Sequence, residues 1–256
     1  MDLSHRCAAI ERTRPLILAK AGSSVELVTT FSDLVDILSK NYRVPDIVLD
    51  TSTVLFILES PHIQELRHGA PVAGSSGATM SRHIFGPEYG HLPLGRMVKK
   101  NAETGAKRPR LSAIGLINVC NIPLQAAAYP REIQVRYADW FEAMNAVRTQ
   151  NQKWSFADPR QQDIQSYLAN DLRRKLEAYR GRTITLVPCG RFAQKFFALA
   201  DVADDKWAVI DGVPHPSYNS WDRAQYAKAV ERVVEAVGLA GAELAVQLES
   251  NGSRGA

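Results

Sequence analysis

The chain has 256 residues, of which 45% are hydrophobic and 23% charged, with 16 glycines and 13 prolines. This composition is ordinary for a globular protein and excludes a mainly disordered chain, a collagen-like repeat and a coiled coil. The formal net charge of +4 is small, so it only weakly favours a polyanionic partner. The longest apolar runs have five residues, whereas a transmembrane helix needs roughly 20, so a membrane-spanning protein is not expected.

The cysteines and the N-terminal residues bear on the location of the protein. Cys7, Cys120 and Cys189 lie far apart and form no C-x-x-C pair, which favours reduced thiols and argues against a zinc or iron–sulfur site. The N-terminal segment carries scattered charges and no apolar signal core. We therefore expect a cytoplasmic protein.

Eight segments carry a regular pattern of apolar residues. In chain order, the patterns predict a helix over residues 31–40, strands over 54–58 and 114–119, a helix over 163–179, a strand over 183–188, a helix over 191–200, a strand over 207–210 and a helix over 222–239 with Asp222 as its N-cap. The strands are almost continuously apolar, which is typical of parallel strands covered on both faces. The predicted fold class is therefore α/β, with three α/β/α layers around a central, mainly parallel, four-stranded sheet.

Residues 61–110 lack this periodicity and are rich in Gly, Ser, Pro, His and Arg. We predict a long functional loop here, because it follows the first strand, where open parallel sheets place their ligand sites. The segment 99–110 holds five basic residues and one acidic residue, and on charge alone it reads as a solvated loop. No linker divides the chain, so we predict one domain over residues 1–248 and a disordered tail over 249–256.

Polar residues follow each predicted strand at the same end. They are Glu59, Ser60 and His62 after the first strand, Asn118 at the end of the second, the segment 189–195 after the third, and His215 with Ser217 after the fourth. Because the carboxyl ends of parallel strands meet at one edge of a sheet, we expect these four groups to gather there.

In this order the motifs resemble those of the uracil-DNA glycosylase superfamily. Leu-Glu-Ser-Pro-His at 58–62 is similar to the family's first motif, Gly-Gln-Asp-Pro-Tyr-His or Gly-Glu-Ala-Pro-Gly. Leu-Ile-Asn-Val at 116–119 matches the family's asparagine at a strand end, and His-Pro-Ser at 215–217 matches its second motif. Gly-Arg-Phe-Ala-Gln-Lys at 190–195 looks like the Gly-Ser-Tyr-Ala-Gln-Lys of one branch. The resemblance spans about residues 54–237 and implies a uracil-DNA-glycosylase-like fold.

The resemblance also implies catalytic roles. Cleaving the glycosidic bond of a pyrimidine builds positive charge on the sugar and negative charge on the leaving base. His215 is expected to stabilise the base oxyanion, and Asn118 to read the base edge, since a carboxamide offers both a donor and an acceptor. Ser60 stands where one branch has Asp, so Glu59 becomes the expected acid that acts on water and sugar, with Glu65 in reserve.

The predicted substrate pocket departs from the family pattern. His62 stands where some branches have a Tyr that excludes the thymine methyl group, and Val72 occupies the place of a stacking aromatic residue. Phe85 is the candidate to supply that stacking ring instead. The base is therefore expected to be uracil or a bulkier 5-modified cytosine, such as phage DNA can contain.

DNA contacts are expected from several segments. Gly74, Ser75 and Ser76, in a segment that is either a phosphate-binding loop or a plain turn, and Ser217 are candidates to bind phosphate. Tyr218 and Asn219 follow the second motif, where the family inserts a wedge into duplex DNA. Lys99 and Lys100 are further candidates for DNA contacts. His83 is kept as a candidate covalent trap for the sugar, a role that one branch gives to a loop histidine.

The predicted function is a monofunctional DNA glycosylase that flips a pyrimidine out of DNA, hydrolyses its N-glycosidic bond and leaves an abasic site, in repair or in anti-phage defence. No motif places a lysine for a Schiff base, so strand cleavage is not expected. We expect DNA as partner, a monomer, no metal and no cofactor. Two alternatives remain open: a non-catalytic module that binds a modified base, expected if Glu59 points away from the pocket, and a hydrolase of free nucleosides or nucleotides, expected if the basic segment 99–110 is buried away from the cleft.

Overall fold

The structure is a computed structural model that describes residues 28–105 and 108–252. Its four strands are β1 (Val54–Leu58), β2 (Ile114–Asn118), β3 (Ile184–Pro188) and β4 (Trp207–Val209). They form one parallel sheet in the order β2-β1-β3-β4. The four predicted strands are therefore confirmed to within a residue at each end.

Helices cover both faces of this sheet. One layer consists of α1 (Phe31–Tyr42), α7 (Ala138–Thr149), α8 (Pro159–Glu177) and α9 (Gly190–Ala200). The other layer consists of α3 (Ser75–Phe85), α4 (Leu94–Glu103), α5 (Pro109–Ser112) and α10 (Ala227–Gly252). Two short helices, α2 (Ile63–His68) and α6 (Arg131–Arg136), lie in the connections after β1 and β2.

The sheet separates two hydrophobic cores, and β1 contributes to both. Leu55 and Ile57 pack against α1, α7, α8 and α9, whereas Val54, Phe56 and Leu58 pack against α3, α4, α5 and α10. Successive side chains of a strand point to opposite faces, so a strand buried on both faces must be apolar at every position. The predicted three-layer α/β/α fold is confirmed.

The prediction of an irregular loop over 61–110 is wrong, because α2, α3, α4 and the start of α5 lie in it. The buried face of α3 includes Gly77 and Ser81 beside Met80 and Ile84, and that of α4 includes Gly95 and Asn101. Such small and polar residues give little hydrophobic periodicity, so these helices carry no clear sequence pattern.

The last helix also differs from its prediction. It begins at Ala227 rather than after Asp222, whose carboxylate instead binds Arg82 and His83. It continues to Gly252, so residues 249–252 of the predicted disordered tail are helical, and 253–256 lie outside the described residues. Within residues 28–105 and 108–252, none of the helices is both long enough and apolar enough to cross a membrane.

Candidate active site

Three of the predicted site residues, Glu59, Asn118 and His215, follow strands at the carboxyl edge of the sheet. Asn118 ends β2 in register with Leu58, the last residue of β1, and Glu59 follows directly. The backbone N–H of Gly190, after β3, donates to the carbonyl of Val213 at 2.9 Å, which sets the segment leading to His215 beside α9.

Asn118 is anchored by its backbone while its side chain has no partner. Its N–H donates to Asp46 Oδ1 at 2.9 Å, and its carbonyl accepts from Lys175 Nζ at 2.7 Å. The residue is only 1% exposed, and neither its Oδ1 nor its Nδ2 has a hydrogen-bond partner among the described residues. A buried, unpaired polar group costs roughly 1–3 kcal/mol, so this carboxamide is conspicuous as a recognition group.

Glu59 faces an arginine that the sequence analysis missed. Arg148 Nη1, on α7, lies 3.7 Å from Glu59 Oε1. Burial raises the pKa of Glu59, and the Arg148 charge opposes this shift. Arg148 Nε is buried and has no hydrogen-bond partner in the part of the chain that the structure describes, so the guanidinium keeps donor capacity. A sequence signal for this arginine was available. Phe141, Met144 and Arg148 lie on successive turns of one helix face, so the helical spacing places an arginine on a buried face.

His215 is held as a hydrogen-bond donor. The Ser217 N–H donates to His215 Nδ1 at 3.2 Å, so in the neutral ring the proton is on Nε2. Burial, together with the Arg148 charge, lowers the pKa of His215, which favours this neutral form. Gly190, at φ +86°, allows the close approach of this ring: a Cβ there would lie 2.7 Å from His215 Cβ.

The other acidic candidate, Glu65, is occupied by backbone groups. Its carboxylate accepts from the N–H of His62 at 2.6 Å and from the N–H of Val72. Burial raises the pKa of Glu65 to about 7. Ser60 Oγ lies 3.5 Å from the Leu124 N–H. Glu65 therefore ties the first motif to the following segment, which leaves Glu59 as the acid beside Arg148.

The predicted pocket segment is closely packed, and Val72 is part of that packing. Its side chain is buried in the core on the α3 face, and its φ is +45°, a strained value for a β-branched residue. A Cβ on Gly77 would lie 1.7 Å from the Val72 carbonyl oxygen, and one on Gly95 would lie 1.7 Å from that of Pro71. His62 is exposed at the N-cap of α2.

The first of the segments predicted to contact DNA, residues 74–76, belongs to a helix. Gly74 is the N-cap of α3, and Ser75 and Ser76 form its first turn, so neither the loop nor the plain turn is present. Ser76 Oγ and Ser217 Oγ are hydrogen-bonded at 2.9 Å. Tyr218 is 90% exposed, and both it and Asn219 have positive φ, which turns the Tyr218 ring outward.

Three further predicted residues lie on α3 and α4. Phe85, at the far end of α3, is about 14 Å along the helix axis from Ser76 and lines a separate cavity together with Lys100. Lys99 Nζ donates to the carbonyl of His68 at 2.8 Å and pairs with Glu103 at 3.7 Å. Phe85 therefore lines a cavity that includes neither Glu59 nor His215, and the DNA contacts predicted for Lys99 and Lys100 stay predictions.

Other candidates are tied up or inert. His83 Nε2 lies 2.8 Å from Asp222 Oδ1, which engages the ring outside the cluster of Glu59 and His215. Cys120 and Cys189 are free and buried, and burial raises the pKa of the Cys120 thiol to about 12. Among the residues described, no His, Cys, Asp and Glu group is arranged to hold a metal ion. Cys7 and Lys107 lie outside the described residues.

Comparison with known protein families gives a match. Residues 45–237, about three quarters of the chain, match the family model of the Uracil DNA glycosylase superfamily. That range contains the four strands of the sheet and the residues Glu59, Asn118, Arg148 and His215. No curated protein matches the chain.

Proposed function

The chain belongs to the uracil DNA glycosylase superfamily, whose activity in general is the hydrolysis of N-glycosyl bonds in DNA, and from this premise we propose a monofunctional pyrimidine-DNA glycosylase. The observation that carries the proposal is the buried, unpartnered carboxamide of Asn118 at the strand edge that also holds Glu59 and His215. The substrate is a pyrimidine flipped out of DNA, and the product is an abasic site.

Asn118 reads the base. A pyrimidine edge offers both a donor and an acceptor, so it satisfies the two atoms that the protein leaves unpaired. Because Asn118 is only 1% exposed, a base reaches it after neighbouring side chains move. Tyr218, exposed and held on a left-handed turn, fills the space that the flipped nucleotide leaves in the DNA.

His215 and Arg148 stabilise the departing base. As the bond from C1′ to the base nitrogen breaks, its electron pair stays with the base, and negative charge reaches the ring oxygen. Neutral His215 donates Nε2–H to that oxygen, and the Arg148 guanidinium adds a positive charge beside it. A neutral imidazole donor suits this role, because it stabilises the anion without a full proton transfer.

Glu59 acts on the sugar and on water. Its carboxylate stabilises the positive charge on C1′ and accepts a proton from the water whose oxygen bonds to C1′. Its position beside Arg148, rather than away from the cluster, favours an enzyme over a passive binding module. A nucleoside hydrolase is expected if the basic segment 99–110 is buried away from the cleft. Lys100 and Arg108 line a cavity that does not include Glu59 or His215, but both side chains are exposed rather than buried, so only the first part of this condition is met.

Incubation with single- and double-stranded DNAs carrying uracil, thymine mismatches, 5-hydroxymethylcytosine or glucosylated cytosine tests the proposal. Hot alkali should reveal breaks with at least one base, and free nucleosides should not be cleaved. Asn118→Ala and His215→Ala should each lose at least about a hundredfold in single-turnover rate. The exposed control variants Asn170→Ala and His91→Ala should keep it.

Borohydride trapping tests the monofunctional assignment. Lys195 Nζ lies 4.9 Å from the centre of the Phe156 ring, and burial lowers its pKa to about 8, so it is the amine to watch. No covalent adduct with DNA is expected. An adduct that Lys195→Met removes, or full activity in both Asn118→Ala and His215→Ala, would contradict the proposed mechanism.

A further inference from the structure

A second feature of the molecule lies outside the candidate active site. A cavity of about 1160 Å³ opens between α3, α4, α5 and α10. The residues that matter in its lining are Phe85, Tyr89, Arg96, Lys100, Arg108 and Arg110, and we call it the basic cavity. Neither Glu59, Asn118, Arg148 nor His215 lines it.

The charges of the basic cavity are not neutralised by the protein. Its four cationic side chains make no ion pair with any carboxylate that the structure describes, and no acidic residue lines the cavity. Some surface cations elsewhere are paired, such as Arg174 with Asp171 at 2.8 Å and Arg82 with Asp222 at 2.7 Å. Four unpaired cations around one concave surface attract a polyanion.

The basic cavity also offers aromatic surface, and α10 makes room for one of its cations. The rings of Phe85 and Tyr89 lie 5.6 Å apart, and Tyr89 is 37% exposed. Arg110 lies across α10 at Gly241, where a Cβ would be 2.5 Å from Arg110 Cγ. The arginine therefore keeps its place over the helix because position 241 has no side chain.

We propose that the basic cavity is a second nucleic-acid site, which holds a single-stranded segment of DNA outside the excision site. Guanidinium groups pair with phosphates, and exposed aromatic rings stack on unpaired bases, which together are the means by which proteins bind single strands. The cavity exceeds the usual range for small ligands, about 300–1,000 Å³, which favours a polymer over a metabolite. The proposal rests on the proposed function only in taking DNA as the polyanion.

Fluorescence anisotropy with a labelled oligothymidine of about 12 nucleotides tests this site without any excision. Arg96→Gln/Arg108→Gln should weaken binding at least about tenfold, and should lower the slope of log affinity against log salt by about 1.4, since each single-strand phosphate contact contributes about 0.7. Tyr89→Ala should weaken binding about fivefold or more and leave the slope unchanged. Arg180→Gln/Lys206→Gln, which removes two exposed cations elsewhere, should change neither quantity.

Photocrosslinking separates the basic cavity from the excision site. An oligonucleotide with 5-iodouridine should label the peptide that contains Tyr89, in the wild type and equally in Asn118→Ala. Thermal melting of each variant checks that it is folded. The proposal is overturned if adducts map only near Tyr218 or if the cavity variants bind the oligonucleotide like the wild type. It is also overturned if polyglutamate displaces the oligonucleotide as well as unlabelled oligothymidine does, because that result would indicate an acidic protein partner. Loss of excision alone leaves the cavity result standing.

Discussion

Two asparagines three residues apart provide the sharpest test of the site. Among the described residues, the Asn118 side chain has no hydrogen-bond partner, whereas Asn121 has three side-chain hydrogen bonds. Asn121 Nδ2 donates to the carbonyl of Val44 and to Asp46 Oδ1, each at 2.8 Å, and its Oδ1 accepts from Lys175 Nζ at 2.5 Å. Replacing each by alanine should therefore affect folding very differently.

The magnitudes follow from these bonds. Asn121→Ala removes one neutral hydrogen bond, about 1 kcal/mol, and two to charged groups, about 1.5–3 kcal/mol each. Asp46 and Lys175 keep each other as partners at 3.1 Å, so the loss in the free energy of unfolding should be about 3 kcal/mol. In Asn118→Ala the relief of two unpaired polar atoms offsets the cost of the small cavity, so the change should stay below about 1 kcal/mol.

Urea denaturation and single-turnover excision should be measured on both variants. Asn118→Ala should keep its stability and lose its activity, whereas Asn121→Ala should melt about 6–12 °C lower and keep its rate at temperatures where it is folded. Equal destabilisation by the two substitutions would refute the reasoning, because the Asn118 carboxamide would then serve folding rather than recognition.

Three further predictions concern charge and close packing. Burial raises the pKa of Glu59, so the single-turnover rate should rise with pH as this carboxyl group loses its proton. Arg148→Gln removes the charge that opposes this shift, so the rise in rate should move to higher pH. A rise at the same pH in both proteins would contradict the pairing of Glu59 with Arg148. Gly190→Ala should lower the free energy of unfolding by about 1–3 kcal/mol and the activity more than tenfold, because φ is +86° and the new Cβ would meet His215. The packing control is Ala193→Gly, which removes a buried methyl group one turn later on α9. Wild-type activity in Gly190→Ala would refute the contact. Burial raises the pKa of Glu65 from its ordinary 4.5 to about 7, so the contribution of Glu65 to stability is present below pH 4.5 and is lost as pH rises through 7. In urea titrations, the free energy of unfolding should therefore decline less with rising pH in Glu65→Gln than in the wild type. An identical decline in both proteins would count against this carboxylate as the source.

Part of the candidate site could be predicted because it depends on strand ends. Glu59, Asn118 and His215 each follow an apolar strand, and parallel strands bring their carboxyl ends to one edge. Arg148 could not be assigned in this way, since it lies on a helix in a part of the chain with no motif. Its approach to Glu59 depends on how α7 packs across the sheet, which no local pattern determines.

The four strands, their parallel arrangement and the three layers could be read from the sequence alone, because apolar runs of strand length have few ways to be buried. The hydrogen bonds of the polar side chains, in contrast, follow from the folded structure: among the described residues Glu65 accepts from two backbone N–H groups, Asn121 has three partners and Asn118 has none. The same holds for Lys100 and Arg108, which line a cavity that does not include Glu59. Hydrogen bonds and ion pairs form only when atoms from segments far apart in the sequence come within a few ångströms of each other, which no local pattern specifies. Hydrophobic burial, in contrast, depends on the apolar character of each residue, which the sequence shows directly.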